Sequence, residues 1–368
     1  MTMLRLPVSE MRQFIKEVFV RVGVPAEDAS VCAEVLIASD LRGIESHGIG
    51  RLKMYYDRIK AGIQKPVTNI EIIRDKYATA VWDGNHGMGH VIGKKAMQTA
   101  IDKASQYGLG AVAVRNSSHY GICGFYADMA TKQNMLGLTF TNARPSVCPT
   151  NGTQPLLGTN PICFGAPTNL PYPFIYDAAT SISQRGKIEQ YDREEKPTPE
   201  GWAIDLDGNP HTDTKRLLVD LVKQTASLLP IGGTDELAGS HKGYGLSTMV
   251  EILCAALQNG SFLNGLLGQN ADGKPAPYNL GHLFLAINID FFTDIADFKI
   301  ISTAICTELQ NSKLLPGRER IWVAGEKEYE KEIEVRRKGI PIIPNLQRDI
   351  EIMQRELNLE MINFKNIS

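Results

Sequence analysis

The sequence predicts an α/β protein: a mixed or parallel sheet packed between helices, with a helical unit ahead of it and C-terminal helices behind. Three observations predict this. The first 65 residues repeat apolar groups at helical spacing. From about Tyr77, short β-rich runs alternate with helical ones, the pattern of a sheet covered by helices. The last 43 residues are charged and helical, broken at "IPIIP". The implied division is 1–75 (helical, substrate side), 76–325 (sheet, cofactor and catalysis) and 326–368, a helical segment packing on the first.

Taken in order, residues 9–22 place Met11, Phe14, Ile15, Val18 and Val22 on one helix face, with Ser9 as its cap. "VPAEDASVCAEVLIASD" forms a second helix, with Cys32, Val35, Leu36 and Ser39 on one side. A third, from about Gly50, carries Leu52, Tyr55, Tyr56 and Ile59. Then come the strand "ATAVW", the helix "GKKAMQTAIDKASQY", the strand "LGAVAVR", the helix "CGFYADMATKQ" and the strand "LGLTFTN". "PICFGAPT" and "PFIYDAAT" add strands, "KIEQYDREEKPTPEG" reads as a charged loop, and "LSTMVEILCAAL" is a long apolar helix after Gly245.

A chain of 368 residues buries a sizeable core. With 39 basic against 41 acidic residues there is no basic stripe for nucleic acid and no acidic tail. No run of eighteen apolar residues suggests a membrane span, and the amino terminus lacks a signal-peptide core. Six cysteines without a C-x-x-C read as buried, reduced thiols of a cytoplasmic protein.

One stretch imitates a dinucleotide fingerprint. "VWDGNHGMGHVIGKKAMQTAI" sets Gly87, Gly89 and Gly93 between strand and helix, and Arg115 ends the next strand where it can face a 2′-phosphate. The spacing misses G-x-G-x-x-G by one residue and no acidic ribose ligand follows, so close helix–strand packing is the preferred reading. His86 and His90 have metal-like spacing but no third ligand, and read as solvated turn histidines; no metal is expected.

Four other segments carry chemistry. In "DLRGIESHGIGRL", Ser46 and His47 precede a helix bearing Arg51 and Tyr55, where free N–H groups and a guanidinium fork suit a carboxylate. In "AVAVRNSSHYGICGFYADM", His119 lies in a strand-to-helix loop and can exchange a proton near neutral pH. "FIYDAATSISQRGKI" puts Asp177 and the small Ala178 and Ala179 at a strand end. "GSHKGYGLSTMVEIL" sets Lys242 and Gly243 just before a helix, a place for phosphate.

These segments, with "TNARPSVCPTNGTQPLLGTNPI" and "LPGRE", occur in the order that resembles the type 2 malate/L-lactate dehydrogenase family, over about residues 5–325. The resemblance implies a non-Rossmann NAD(P) fold, a homodimer, and interconversion of a 2-hydroxy acid with its 2-oxo acid. Malate is the first choice; lactate, sulfolactate, ureidoglycolate or a cyclic imine stay open. It implies His119 as acid/base with His47 beside it, and Ser46, Arg51 and Tyr55 on the substrate side. Thr159, Asn160, Asp177, Ala178, Ala179, Lys242, Gly243, Pro316, Gly317 and Arg318 fall at cofactor positions. Asn151 and Gln154 stand where the family usually has a glycine and an acid. Arg318 stands where it has a glutamate, a base for an acid near the cofactor, which leaves NADP open beside NAD, the first choice.

Overall fold

The computed structural model describes residues 4–360 and residue 362. Helix α1 (Val8–Arg21) buries Met11, Phe14, Ile15, Val18 and Phe19, and Pro7 takes the cap position, leaving Ser9 inside the first turn. Helix α2 (Ala26–Leu41) follows. Two short 3₁₀ turns, Glu45–His47 and Ile49–Arg51, interrupt the chain before α3 (Leu52–Lys60). Strand β1 (Leu4–Leu6) pairs antiparallel with β11 (Ile340–Ile342), which brings the C-terminal end onto this helical unit. Leu6, Met11, Leu36, Tyr55, Ile340 and Met353 share one core there, the last from α11 (Pro344–Leu357).

The central sheet has seven strands in the order β2-β3-β4-β10-β5-β6-β7. They are β2 (Glu71–Lys76), β3 (Thr79–Asp83), β4 (Leu109–Ser117), β5 (Met135–Thr141), β6 (Ile162–Ala166), β7 (Phe174–Ala178) and β10 (Leu280–Asn288). β3 and β4 run parallel and the other neighbouring pairs antiparallel. The sheet begins at Glu71, inside the stretch the sequence assigns to the helical unit. β10, between β4 and β5, was not anticipated.

Alternation along the strands separates two cores. Val112, Val114, Phe284 and Ala286 face α4 (Gly89–Tyr107) and α5 (Cys123–Thr131), joining Ala96, Met97 and Tyr126. Ala113, Leu283 and Phe140 face the other way, onto Val250 and Cys254 of α8 (Ser240–Ala255). A side lobe of α6 (Arg185–Arg193), β8 (Ala203–Asp205), α7 (Thr214–Lys223) and β9 (Ala226–Leu228) closes around Ile188, Leu217, Leu221 and Leu228. α9 (Ile295–Gln310) and α10 (Glu326–Lys338) lie between β10 and β11 in the chain.

Three local expectations change. The first half of the charged "loop" is helix α6, supported by buried Ile188 and the Arg185–Glu189 pair one turn apart. Lys242 and Gly243 lie inside the first turn of α8, not ahead of it. His90 is not a solvated turn residue: it is fully buried in the first turn of α4. The decoy glycines do pack a helix against the sheet connection, since a Cβ on Gly89 would sit 2.3 Å from the Ser118 carbonyl oxygen. Arg115 is tied to Asp83 at 2.9 Å. All six cysteines are buried and unbridged, and no helix among the described residues is long and apolar enough to cross a membrane.

Candidate active site

A cleft of about 740 Å³ opens where the helical unit meets the carboxyl ends of β4 and β7 and the side lobe, a volume suited to a cofactor-sized ligand. His47, His119, Thr159, Asp177, Ala178 and Ala179 line it. Asp177, Ile44 and Ile122 also line an adjoining cavity of about 470 Å³, so the two spaces meet at the end of β7.

The loop after β4 delivers His119, and the 3₁₀ turn before α3 delivers His47. The two rings stack with centroids 5.4 Å apart and planes inclined by 27°. His47 Nδ1 hydrogen-bonds the Ser46 hydroxyl at 2.9 Å. His119 Nδ1 hydrogen-bonds the hydroxyl of Tyr55, which is fully buried behind it; Tyr55 therefore backs the imidazole and does not line the cleft. Behind Tyr55 stands His90, edge-on with centroids 4.7 Å apart, and among the described residues neither of its ring nitrogens has a partner.

Burial pushes His47 down to about 3, with the Arg51 charge as second cause. His119 lies well below the usual histidine range because of burial, then the charges of His47, Arg51, Arg58 and His90. Burial alone lowers His90 to about 3. In the free cleft these imidazoles are neutral at neutral pH. Burial also raises Tyr55, so its phenol stays protonated.

Arg51 stands behind His47. Its Nε donates to the Ser46 carbonyl at 2.6 Å, and its Nη2 lies 3.6 Å from Glu189 of α6. Ser46 and Arg51 line a small neighbouring cavity of about 70 Å³ with Glu189, not the main cleft. The turn itself is pinned by Asp40, which the sequence reading overlooked. Its carboxyl group, 3% exposed, accepts the Ile49 N–H through Oδ2 at 2.9 Å. Gly48 is obligatory there, because a Cβ would sit 1.8 Å from Asp40 Oδ1. Burial pushes Asp40 up to about 8.

The expected cofactor residues divide. Asp177 Oδ2 accepts the Gly124 N–H at the start of α5, 2.7 Å away, and faces both cavities. Asn160 is fully buried and occupied: it bonds Glu251 at 2.8 Å, the Ser247 carbonyl at 3.0 Å and the Ala143 N–H at 3.2 Å. Its side chain fixes the cleft wall to α8 beside Thr159, which lines the cleft. Gly243 packs against Ile231, which lines the cleft, while Lys242, Pro316, Gly317 and Arg318 are exposed and outside its lining. His282 was missed as well. It is buried under Tyr120, with ring centroids 4.4 Å apart, and bonds Thr141 at 2.8 Å and the Ser118 carbonyl at 3.2 Å, bracing the loop that carries His119.

Comparison with known proteins places this geometry. The family described as malate/L-lactate dehydrogenase matches residues 6–351. A malate dehydrogenase of Pyrococcus abyssi is 44% identical over 97% of this chain and 96% of its own. An L-sulfolactate dehydrogenase of Methanocaldococcus jannaschii is 38% identical over 96% and 97%. The crystal structure of malate dehydrogenase from Entamoeba histolytica superposes with a TM-score of 0.95 at 41% identity, covering 98% of this chain and 99% of that one. With a match along nearly its whole length, the chain belongs to the malate/L-lactate dehydrogenase family.

Proposed function

We propose that the cleft interconverts a 2-hydroxy acid and its 2-oxo acid, with (S)-malate and oxaloacetate as the pair and a nicotinamide dinucleotide as partner. The observation that carries this reading is His119: a cleft-facing imidazole backed by a buried phenol, within reach of arginine charges that favour an organic anion.

The residues present fit a dinucleotide. The Ala178–Ala179 step allows close approach to the end of β7, Thr159 and Asp177 supply polar atoms, and the buried Ser183 hydroxyl in the cleft wall has no partner among the described residues. Lys242 and the Pro316–Arg318 turn, outside the cleft, are assigned to the cofactor's distal half. NAD is the first choice, and the basic Arg318 keeps NADP in the comparison. When bound, the nicotinamide supplies the hydride acceptor or donor.

The chain's own residues handle the proton and the anion. A phenol both donates and accepts, so Tyr55 holds His119 in either tautomer. It donates to Nδ1 when Nε2 carries the proton, and accepts from Nδ1–H when Nε2 is free to take the substrate's hydroxyl proton. His47, stacked alongside, adds polarity to the same wall. Ser46 and Arg51 are assigned to the substrate carboxylate, which draws the guanidinium away from Glu189.

Exposed Ile300, Ile301, Ile305 and Leu309 on α9, and Leu246, Met249 and Ile252 on α8, support a homodimer, because exposed clusters of large apolar side chains mark interfaces. The buried thiols agree with a cytoplasmic location.

The test is an absorbance assay of oxaloacetate and pyruvate with NADH and NADPH, on the native protein and on His119→Ala. Turnover should fall roughly 100-fold or more in both directions in the variant, with NADH fluorescence enhancement retained. Undiminished turnover removes His119 from the proton transfer and gives it to His47.

A further inference from the structure

Among the described residues that line the main cleft, Lys187 is the one whose side chain carries a permanent positive charge, and the reaction scheme above does not use it. The two cleft histidines are neutral, and the one cleft carboxyl group, Asp177, accepts the Gly124 N–H at 2.7 Å. Arg51 faces the small cavity behind the turn, where its Nε donates to the Ser46 carbonyl and its Nη2 lies 3.6 Å from Glu189. An organic anion entering the cleft therefore meets an ammonium group of α6 before it meets the guanidinium.

The local fold sets that ammonium beside the reacting end of the cleft. Gly186 packs on the Ser46–His47 turn: a Cβ there would stand 2.6 Å from Ser46 Cβ and 3.4 Å from Arg51 Nη2. Glu189, one turn along α6, reaches Arg51 and also Arg185. With α6 docked at these two points, Lys187, next in the chain after Gly186, falls in the cleft wall with His47, Ser183 and Gln184. A lysine on an exposed helix is ordinarily a solvated charge beside a neighbouring acid. Lys187 differs. Its Nζ donates to the neutral side-chain amide of Gln190 at 3.0 Å and forms no ion pair among the described residues. Its charge is open to a carboxylate from the cleft.

We infer that Lys187 is a further substrate-binding residue: its ammonium takes a carboxylate oxygen of the acid from the cleft side of the Ser46–His47 turn, while Arg51 draws on the same group from behind. This deepens the proposed reaction and rests on it. A carboxylate at the Gly186–Lys187 step stands between the two cations. Their chemistry divides the work. The guanidinium, held by Ser46 and Glu189, is a planar fork in a fixed place, whereas the ammonium is a point charge on a flexible stem that can follow the acid inward. Helix α6 is then a wall of the acid's pocket as well as part of the side lobe.

The experiment compares the native protein with Lys187→Gln and Lys187→Arg in two readouts. One is kcat and KM for oxaloacetate with NADH. The other is the calorimetric Kd of oxalate, an unreactive carboxylate probe, on the protein saturated with NAD. Lys187→Gln should raise both KM for oxaloacetate and Kd for oxalate roughly 10–100-fold, the range of a lost charged hydrogen bond, and leave KM for NADH unmoved. Lys187→Arg should recover part of that loss, because it restores the charge. Unchanged KM and Kd in Lys187→Gln overturn the inference. So does a matching rise in KM for NADH, which gives the lysine to the cofactor, and so does a loss that Lys187→Arg leaves unrepaired, which marks a packing role. If the native protein binds oxalate through Lys187 but reduces no oxo acid, the reaction reading falls and the anion site stands. If oxaloacetate is reduced equally well by Lys187→Gln, the site falls and the reaction stands.

Discussion

His90 gives the sharpest test of the packing behind the site. It is fully buried against Tyr55 and Phe19, has no hydrogen-bond partner among the described residues, and is pushed down to about 3 by burial. A base whose folded pKa is depressed binds fewer protons folded than unfolded. Stability is then complete above the unfolded pKa of ~6.5 and is lost as pH falls below it. Between pH 7.5 and 5.0 the loss from this group is about 1.5 × 1.36, or ~2 kcal/mol. The raw pH curve does not isolate it. His282, also buried and lowered to about 3, adds a term of the same sign. Asp40, raised to about 8, acts in the opposite sense, because its buried carboxyl is relieved as pH falls. The variant His90→Leu removes only the imidazole at similar volume. Urea unfolding of both proteins, followed by tryptophan fluorescence at pH 7.5 and 5.0, gives two stability differences. The variant should gain ~2 kcal/mol on the native protein as pH drops. A constant difference would show that His90 titrates as it does in the unfolded chain, and the arrangement behind Tyr55 would be wrong.

Two further outcomes follow from contacts around the cleft. Arg51→Lys should raise KM for the oxo acid roughly tenfold with a smaller effect on kcat, since a point charge replaces a planar fork; unchanged KM in steady-state assays places the α-carboxylate elsewhere. Gly89→Ala should cost about 1–3 kcal/mol in urea unfolding, because its Cβ meets the Ser118 and His119 carbonyl oxygens at 2.3 and 2.6 Å. Native-like stability in that variant would mean that α4 sits farther from the His119 loop.

The helices were legible because their apolar positions repeat with one period: Leu52, Tyr55, Tyr56 and Ile59 are all buried on α3. β10 was not, because Leu280 to Leu285 is largely apolar without alternation; a strand buried on both faces has no period to read. His90 misled for a related reason. The glycines around it signal a surface turn, yet the turn ends at Gly89 and the helix drives His90 into the neighbouring core. His119 and His47 were legible from their loop positions, but Tyr55 behind one of them was not. A phenol one helical turn after Arg51 looks like a second substrate contact until the loop after β4 is folded against it.

The electrostatics of the cleft have a consequence for the direction of reaction. In the free protein His119 is neutral, held so by burial and by the surrounding positive charges. In the proposed reaction that form accepts the hydroxyl proton, so a hydroxy acid can enter without any change in protonation. Reduction needs the imidazolium, and the charge that stabilises it has to arrive with the oxo acid. A carboxylate about 4 Å from the ring, at an effective dielectric constant of ~20, is worth about 4 kcal/mol, or roughly three pK units. An oxo acid should therefore bind together with a proton. Mixing the protein with oxaloacetate and oxidised cofactor, a pair that cannot react, should take up protons from a weakly buffered indicator solution, and more of them as the starting pH is lowered. His119→Gln should abolish that uptake. Uptake that survives in the variant would assign the titrating ring to His47, and no uptake at any pH in the native protein would refute the coupling of oxo-acid binding to protonation of His119.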